Sequence, residues 1–127
     1  MPFPIVDFVV TRHIPNATDA TDQVLLIAPF DLRVVSIQAR HRVASTSGTI
    51  DLKKSASGTT VTGGTSVLSA TMSNSGTAET TVSGSLVTTI NGTVVTKGQA
   101  LGLDFAGTLT NLEDLDITVV LRQVKKS

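Results

Sequence analysis

The sequence predicts an all-β fold: a single-domain, antiparallel, jelly-roll-like β-sandwich of about eight strands. Three observations predict it. About a quarter of the chain is Thr or Ser and Val is its commonest large apolar residue, a composition that suits strands better than helices. Apolar residues recur with period two, the period at which side chains alternate across a strand. Turn residues recur at intervals of about 8–12 residues, and no helix-period segment runs longer than a turn or two.

The elements follow in order. Phe3–His13 carries Ile5, Val6, Phe8, Val9 and Val10 and is expected to stop at Ile14-Pro15-Asn16. Val24–Ile27 is apolar on both faces, as in a strand covered on both sides or a short edge buried by a neighbour. Pro29 and Asp31 then mark a corner, because Pro removes a ladder donor and Asp suits turns. Leu32–Val43 is the longest alternating run, with Val35, Ile37, Ala39, His41 and Val43 on a core face and Ser36, Gln38, Arg40 and Arg42 opposite. Thr49–Lys54 places Ile50 and Leu52 inward. Residues 55–66 are small and polar. Glu79–Ile90 reads as a Thr/Val/Ser strand, and Asn91-Gly92 reads as a type I′ hairpin turn, where both central residues need positive φ. Leu101, Leu103 and Phe105 alternate with Gly102 and Asp104. The last strand, Leu115–Val124, turns Leu115, Ile117, Val119 and Leu121 inward.

The 127 residues match one domain, 1–127. Ten Lys and Arg balance ten Asp and Glu, and charged residues make up only 16%. No nucleic-acid partner is expected, because such binding needs a basic patch that releases counterions. With no Cys, disulfide scaffolds, thiolate metal sites and cysteine nucleophiles are excluded. Met1-Pro2-Phe3-Pro4 lacks the basic and apolar regions of a signal peptide. The longest apolar stretch, Val24–Phe30, is too short to span a bilayer. The expectation is a protein made in the cytoplasm, with no membrane partner.

Catalytic chemistry has little support. His13 and His41 have no nucleophile or ligand at recognisable spacing, which favours core-edge or rim histidines over general bases. Gly58–Gly64 lacks the helix N-terminus that a phosphate cradle requires. Glu113, Asp114 and Asp116 do not have the spacing of a calcium loop and read as a solvated loop. We therefore expect no enzyme, no cofactor, no metal and no small-molecule substrate.

Contact surfaces are better supported. Arg33, Arg40 and Arg42 are the only basic concentration, with Arg40 and Arg42 on one strand face. They form either a solvated face with nearby acids or a protein contact, since Arg is enriched at interfaces. Pro2, Phe3, Pro4 and Ile5 form either an extended N-terminal arm over residues 1–5 that docks on a neighbouring chain, or a first strand on its own sheet. These seven residues are the candidate protein–protein contacts.

Two segments carry a family resemblance. Residues 24–40, Val-Leu-Leu-Ile-Ala-Pro-Phe-Asp-Leu-Arg-Val-Val-Ser-Ile-Gln-Ala-Arg, resemble a signature of small phage virion proteins: an apolar strand, Ala-Pro, a polar turn, then Val-Val-Ser-Ile. Residues 95–104, with Lys97-Gly98 before apolar alternation, and 115–121 are similar to later segments of the same proteins. The resemblance covers roughly residues 23–54 and 93–122, while 55–85 matches nothing. It implies a jelly-roll-like β-sandwich and a structural role as a capsid decoration (cement) protein, a head fibre, or a tail or neck appendage. It carries over no catalytic residues. The expectation is a capsid decoration protein on the virion surface that self-associates, in a trimer as is common for such proteins, and binds the major capsid protein. The alternative is a tail-fibre, appendage or carbohydrate-receptor-binding module, which the absence of Trp and Tyr weakens.

Overall fold

Two long strands, Leu32–Val43 and Glu113–Gln123, pair antiparallel at the centre of one sheet. The structure is a computed structural model that describes residues 7–124. Ten strands appear in chain order: β1 Asp7–Asn16, β2 Gln23–Ile27, β3 Leu32–Val43, β4 Thr49–Ser55, β5 Thr65–Ser66, β6 Met72–Ser73, β7 Val82–Ser83, β8 Val94–Val95, β9 Ala100–Ala106 and β10 Glu113–Gln123. One 3-10 turn, Ala17–Asp19, follows β1 and is capped by the Asn16 side chain.

Sheet A has the order β1-β10-β3-β7, with β8 also on β3; sheet B has β2-β9-β4-β5, with β6 also on β4. From β1 to β4 the chain alternates between the sheets. It then returns so that β9 inserts between β2 and β4 and β10 between β1 and β3. This is the double Greek key of a jelly roll, so the fold expectation is met. The excess over eight strands comes from the short pieces β5 to β8.

The core lies between the sheets. Ile50, Leu52, Leu101, Leu103, Val119 and Leu121 are fully buried, with Ile37 and Ile117 nearly so. Each such side chain contributes about 1.5–3 kcal/mol relative to exposure. Phe105 is the one aromatic among the buried core residues, and aliphatic side chains fill the rest.

Four details differ from the sequence expectations. First, β1 runs through Pro15 to Asn16. It is a sheet edge, where the missing N–H need not cost a ladder bond. Second, Val35 is not a core residue. Between Ser36 and Val34, which face Val120 and Leu121, β3 carries one extra residue. That bulge leaves Val35 exposed and moves Val34 and Leu32 into the core. Third, Glu79–Ile90 contributes only Val82–Ser83 and a single bridge from Leu86 to Leu68. Fourth, Asn91-Gly92 does not close a hairpin. Asn91 has positive φ and Gly92 donates to the Thr89 carbonyl, but Val94 and Val95 pair with Arg33 and Leu32 rather than with Thr88–Ile90.

Candidate interaction surface

The edge strands of the two sheets, β1 and β2, lie along one seam of the sandwich. Phe8, Val10, Arg12 and Ile14 stand opposite the inward residues Leu121, Val119, Ile117 and Leu115 of β10, so all four belong to the inward face of β1. Three are apolar as that face requires. The fourth, Arg12, reaches across the seam: its guanidinium donates to Gln23 Oε1 at 2.8 Å and to the Val24 carbonyl at 3.1 Å. A charge aimed inward at an edge discourages strand addition there, and here it also ties the sheets together.

Beyond Arg12 the seam opens into an apolar groove of about 340 Å³. Phe8, Val9 and Val10 of β1 form one wall, Leu26, Ile27, Pro29 and Phe30 the other, and Leu32 and Leu121 complete the lining. No lining side chain is ionisable. The Phe8 and Phe30 rings meet at 5.6 Å between centroids with planes inclined 55°, a favourable tilted contact. The rim is exposed: Phe8 37%, Val9 60% and Ile27 67%. β1 pairs only with β10 and β2 only with β9, so each keeps one backbone edge unpaired among the described residues. β2 is thus the edge of the two alternatives its apolar run allowed, and it is not buried by a neighbour. A bulge at Leu25 further turns its side chains.

The outer faces carry paired charges. On sheet A, Arg42 Nε lies 2.6 Å from Asp114 and its Nη2 lies 2.9 Å from Glu113. These pairs raise the Arg42 pKa, the hydrogen bond to Asp114 contributing most. Arg40 contacts Glu79 at 3.3 Å, and His13 Nδ1 donates to Asp116 at 2.7 Å. Arg122 bonds Asp7 and holds its carboxyl below the usual range. On sheet B, Lys53 meets Asp104 at 2.7 Å with both side chains mostly buried, and that bond raises the lysine pKa. Burial of the neighbouring Lys54 lowers its pKa, and its ammonium donates to the Asn91 and Val94 carbonyls.

The expected contact residues separate accordingly. Arg40 and Arg42 are held by acids of their own chain, whereas the exposed Arg33 side chain makes no ion pair or hydrogen bond among the described residues. Pro2, Phe3, Pro4 and Ile5 lie outside the described residues. His41 is buried, and its Nε2 donates to the Gly76 carbonyl at 2.9 Å, the arrangement of a core histidine. Among the described residues no cluster of three or more His, Asp or Glu is placed to hold a metal, and no helix is long and apolar enough to cross a membrane. Sequence reasoning missed the groove and Arg12. The available signal was the alternation itself, which puts Arg12 between Val10 and Ile14 on the apolar face.

No protein-family model matches the chain, and no curated protein matches it. Among solved structures, a chain of the cyanophage Pam1 capsid asymmetric unit is similar at 11% identity and a TM-score of 0.50, over 94% of this chain and 85% of that one. A subunit of Bacillus endospore appendages, described as disulfide-linked pili, is similar at 15% identity and a TM-score of 0.49, over 95% and 89%. At such identities the capsid likeness shows the fold alone, and that fold is the β-sandwich the sequence predicted.

Proposed function

We propose that the chain is a structural protein of a phage virion, a capsid decoration (cement) protein that self-associates and binds the major capsid protein lattice. The observation that carries this reading is the apolar groove beside two strand edges that are unpaired among the described residues. An exposed apolar surface with free backbone edges is built for protein contact. No ionisable side chain lines the groove. A site for chemistry needs polar or titratable groups gathered in a pocket, and this groove has none. The fold shared with a cyanophage capsid chain supports the same reading. Arg33, whose side chain makes no ion pair or hydrogen bond among the described residues, is the arginine best placed to pair with an acidic group of the lattice. Many weak contacts of this kind become strong when a lattice engages them together.

The test is light scattering of the purified chain, then co-sedimentation with capsids that lack it. A defined homo-oligomer, a trimer on this reading, and saturable binding are expected. A monomer that ignores capsids overturns the proposal, and selective glycan binding in its place would favour a receptor-binding module.

A further inference from the structure

We infer that the groove between β1 and β2 receives the Pro2–Ile5 segment of a second copy of this chain. The inference rests on the self-association half of the proposed function and is independent of its capsid half.

The chemistry of groove and segment matches. The groove is lined only by apolar side chains and is flanked along the seam by Arg12. Pro2-Phe3-Pro4-Ile5 carries no charge and presents Phe3 and Ile5 two residues apart, hence on one side of an extended chain. Its two prolines bring no backbone N–H, so fewer donors would be stranded in an apolar site. Proline also biases the residue before it towards extended conformations, so Phe3 enters the contact with little ordering cost.

The geometry selects a second copy over the chain's own groove. The segment ends just before Asp7, where β1 begins and Asp7 is already paired in register with Arg122. Phe8, the next residue, is itself part of the groove wall. An extended segment leading into β1 carries Phe3 roughly 17 Å from Phe8, at about 3.3 Å per residue. Filling its own groove would need a full reversal within the few residues before Asp7, where β1 begins. The same segment reaches a neighbour's groove without turning. Passed from copy to copy, this contact is heterologous and closes into a ring when the rotation allows.

The absence of native Cys gives a direct test. The full chain carrying Ile5→Cys and Ile27→Cys is oxidised, run on a non-reducing gel and compared with its light-scattering mass before oxidation. Covalent oligomers are expected. A cross-linked monomer overturns the inference by placing the segment in its own groove. An oligomer that forms no cross-link also overturns it, yet leaves self-association standing. A chain that is monomeric throughout removes both. Without cysteines, Phe3→Ala with Ile5→Ala, and separately Ile27→Lys, are each expected to weaken association at least tenfold and to add nothing when combined. Full additivity would place the two sets in different contacts and count against the inference. Ile90→Ser, at an exposed turn outside the groove lining, should leave the mass unchanged; a loss of mass there would likewise count against it.

Discussion

Arg12 donates through its guanidinium to the Gln23 side chain, and this contact joins the edge strands of the two sheets. It has two consequences. It closes one end of the seam, and it confines the exposed apolar surface to the other. Hydrogen bonds to a charged group are worth about 1.5–3 kcal/mol when buried and less when partly exposed. Arg12→Met keeps the apolar stem and removes the bonds, so a stability loss of about 1 kcal/mol is expected in urea unfolding. Amide hydrogen exchange at Gln23 and Val24 should rise at the same time. Unchanged exchange there would show that the bridge does not hold the seam.

Ile27 gives the cleanest separation of folding from association. It is 67% exposed in the monomer, so Ile27→Lys should change stability by no more than about 0.5 kcal/mol. A charge at the groove rim would oppose an apolar partner. The expected result is an unaltered thermal midpoint at low concentration and a lower mass by light scattering. A lowered midpoint with an unchanged mass would move Ile27 from the contact surface to the fold.

Gly84 donates its amide to the Ile37 carbonyl at 2.9 Å, and a Cβ there would stand 2.6 Å from Ile37 Cγ2 and 3.1 Å from Met72 Sδ. Ile37 is a core side chain at the centre of sheet A. Gly84→Ala must displace it or β7, and overpacking of this kind costs about 1–3 kcal/mol. Urea unfolding measures it, and a neutral or stabilising alanine would mean that β7 can move away freely.

These positions also show what the sequence revealed. β10 was readable because Leu115, Ile117, Val119 and Leu121 alternate without interruption against a regular partner. β3 was readable until its bulge, which shifts Val35 outward and which no alternation count can place, since it depends on the register with Val120 and Leu121. Glu79–Ile90 looked like a strand because Thr and Val have high strand propensity. That propensity reflects fit to a half-buried pleated surface, and this segment meets sheet A mainly at Val82–Ser83, with Gly84 pressed against Ile37. Arg40 and Arg42 were correctly placed on one outer face, but their acidic partners come from Glu79, Glu113 and Asp114, far along the chain. The groove was not readable, because its walls join two edge strands that only the tertiary fold brings together.

The carboxylates give a pH prediction whose sign can be worked out. Burial alone would raise the Asp22 pKa, but it is lowered on balance by bonds from the Thr62 hydroxyl and the Phe105 amide and by the Lys53 charge. The Asp7 pKa is lowered chiefly by its hydrogen bond with Arg122. Depressed folded-state values mean that the unfolded chain binds more protons in acid. The stabilisation is therefore complete above the ordinary aspartate value near pH 4 and is lost as pH falls through the lower folded values. Thermal midpoints should be insensitive to these two groups above about pH 5 and decline below about pH 4. Asp22→Asn keeps one acceptor, for the Phe105 amide, replaces the oxygen that accepts from Thr62 with an NH2 donor, and no longer titrates, so its midpoint should start lower at neutral pH and decline less steeply. A wild-type midpoint flat down to pH 2 would show that neither carboxylate is held in its ionised form by the fold. In alkali the lysines oppose each other. Lys53, raised by Asp104, contributes stability below its unfolded value near pH 10.4 that is lost as pH rises through its higher folded value. Lys54, lowered by burial, makes the fold more favourable as it deprotonates. The Lys54 gain therefore lies below about pH 10.4 and the Lys53 loss above it, so Lys53→Met should keep the gain and abolish the later loss.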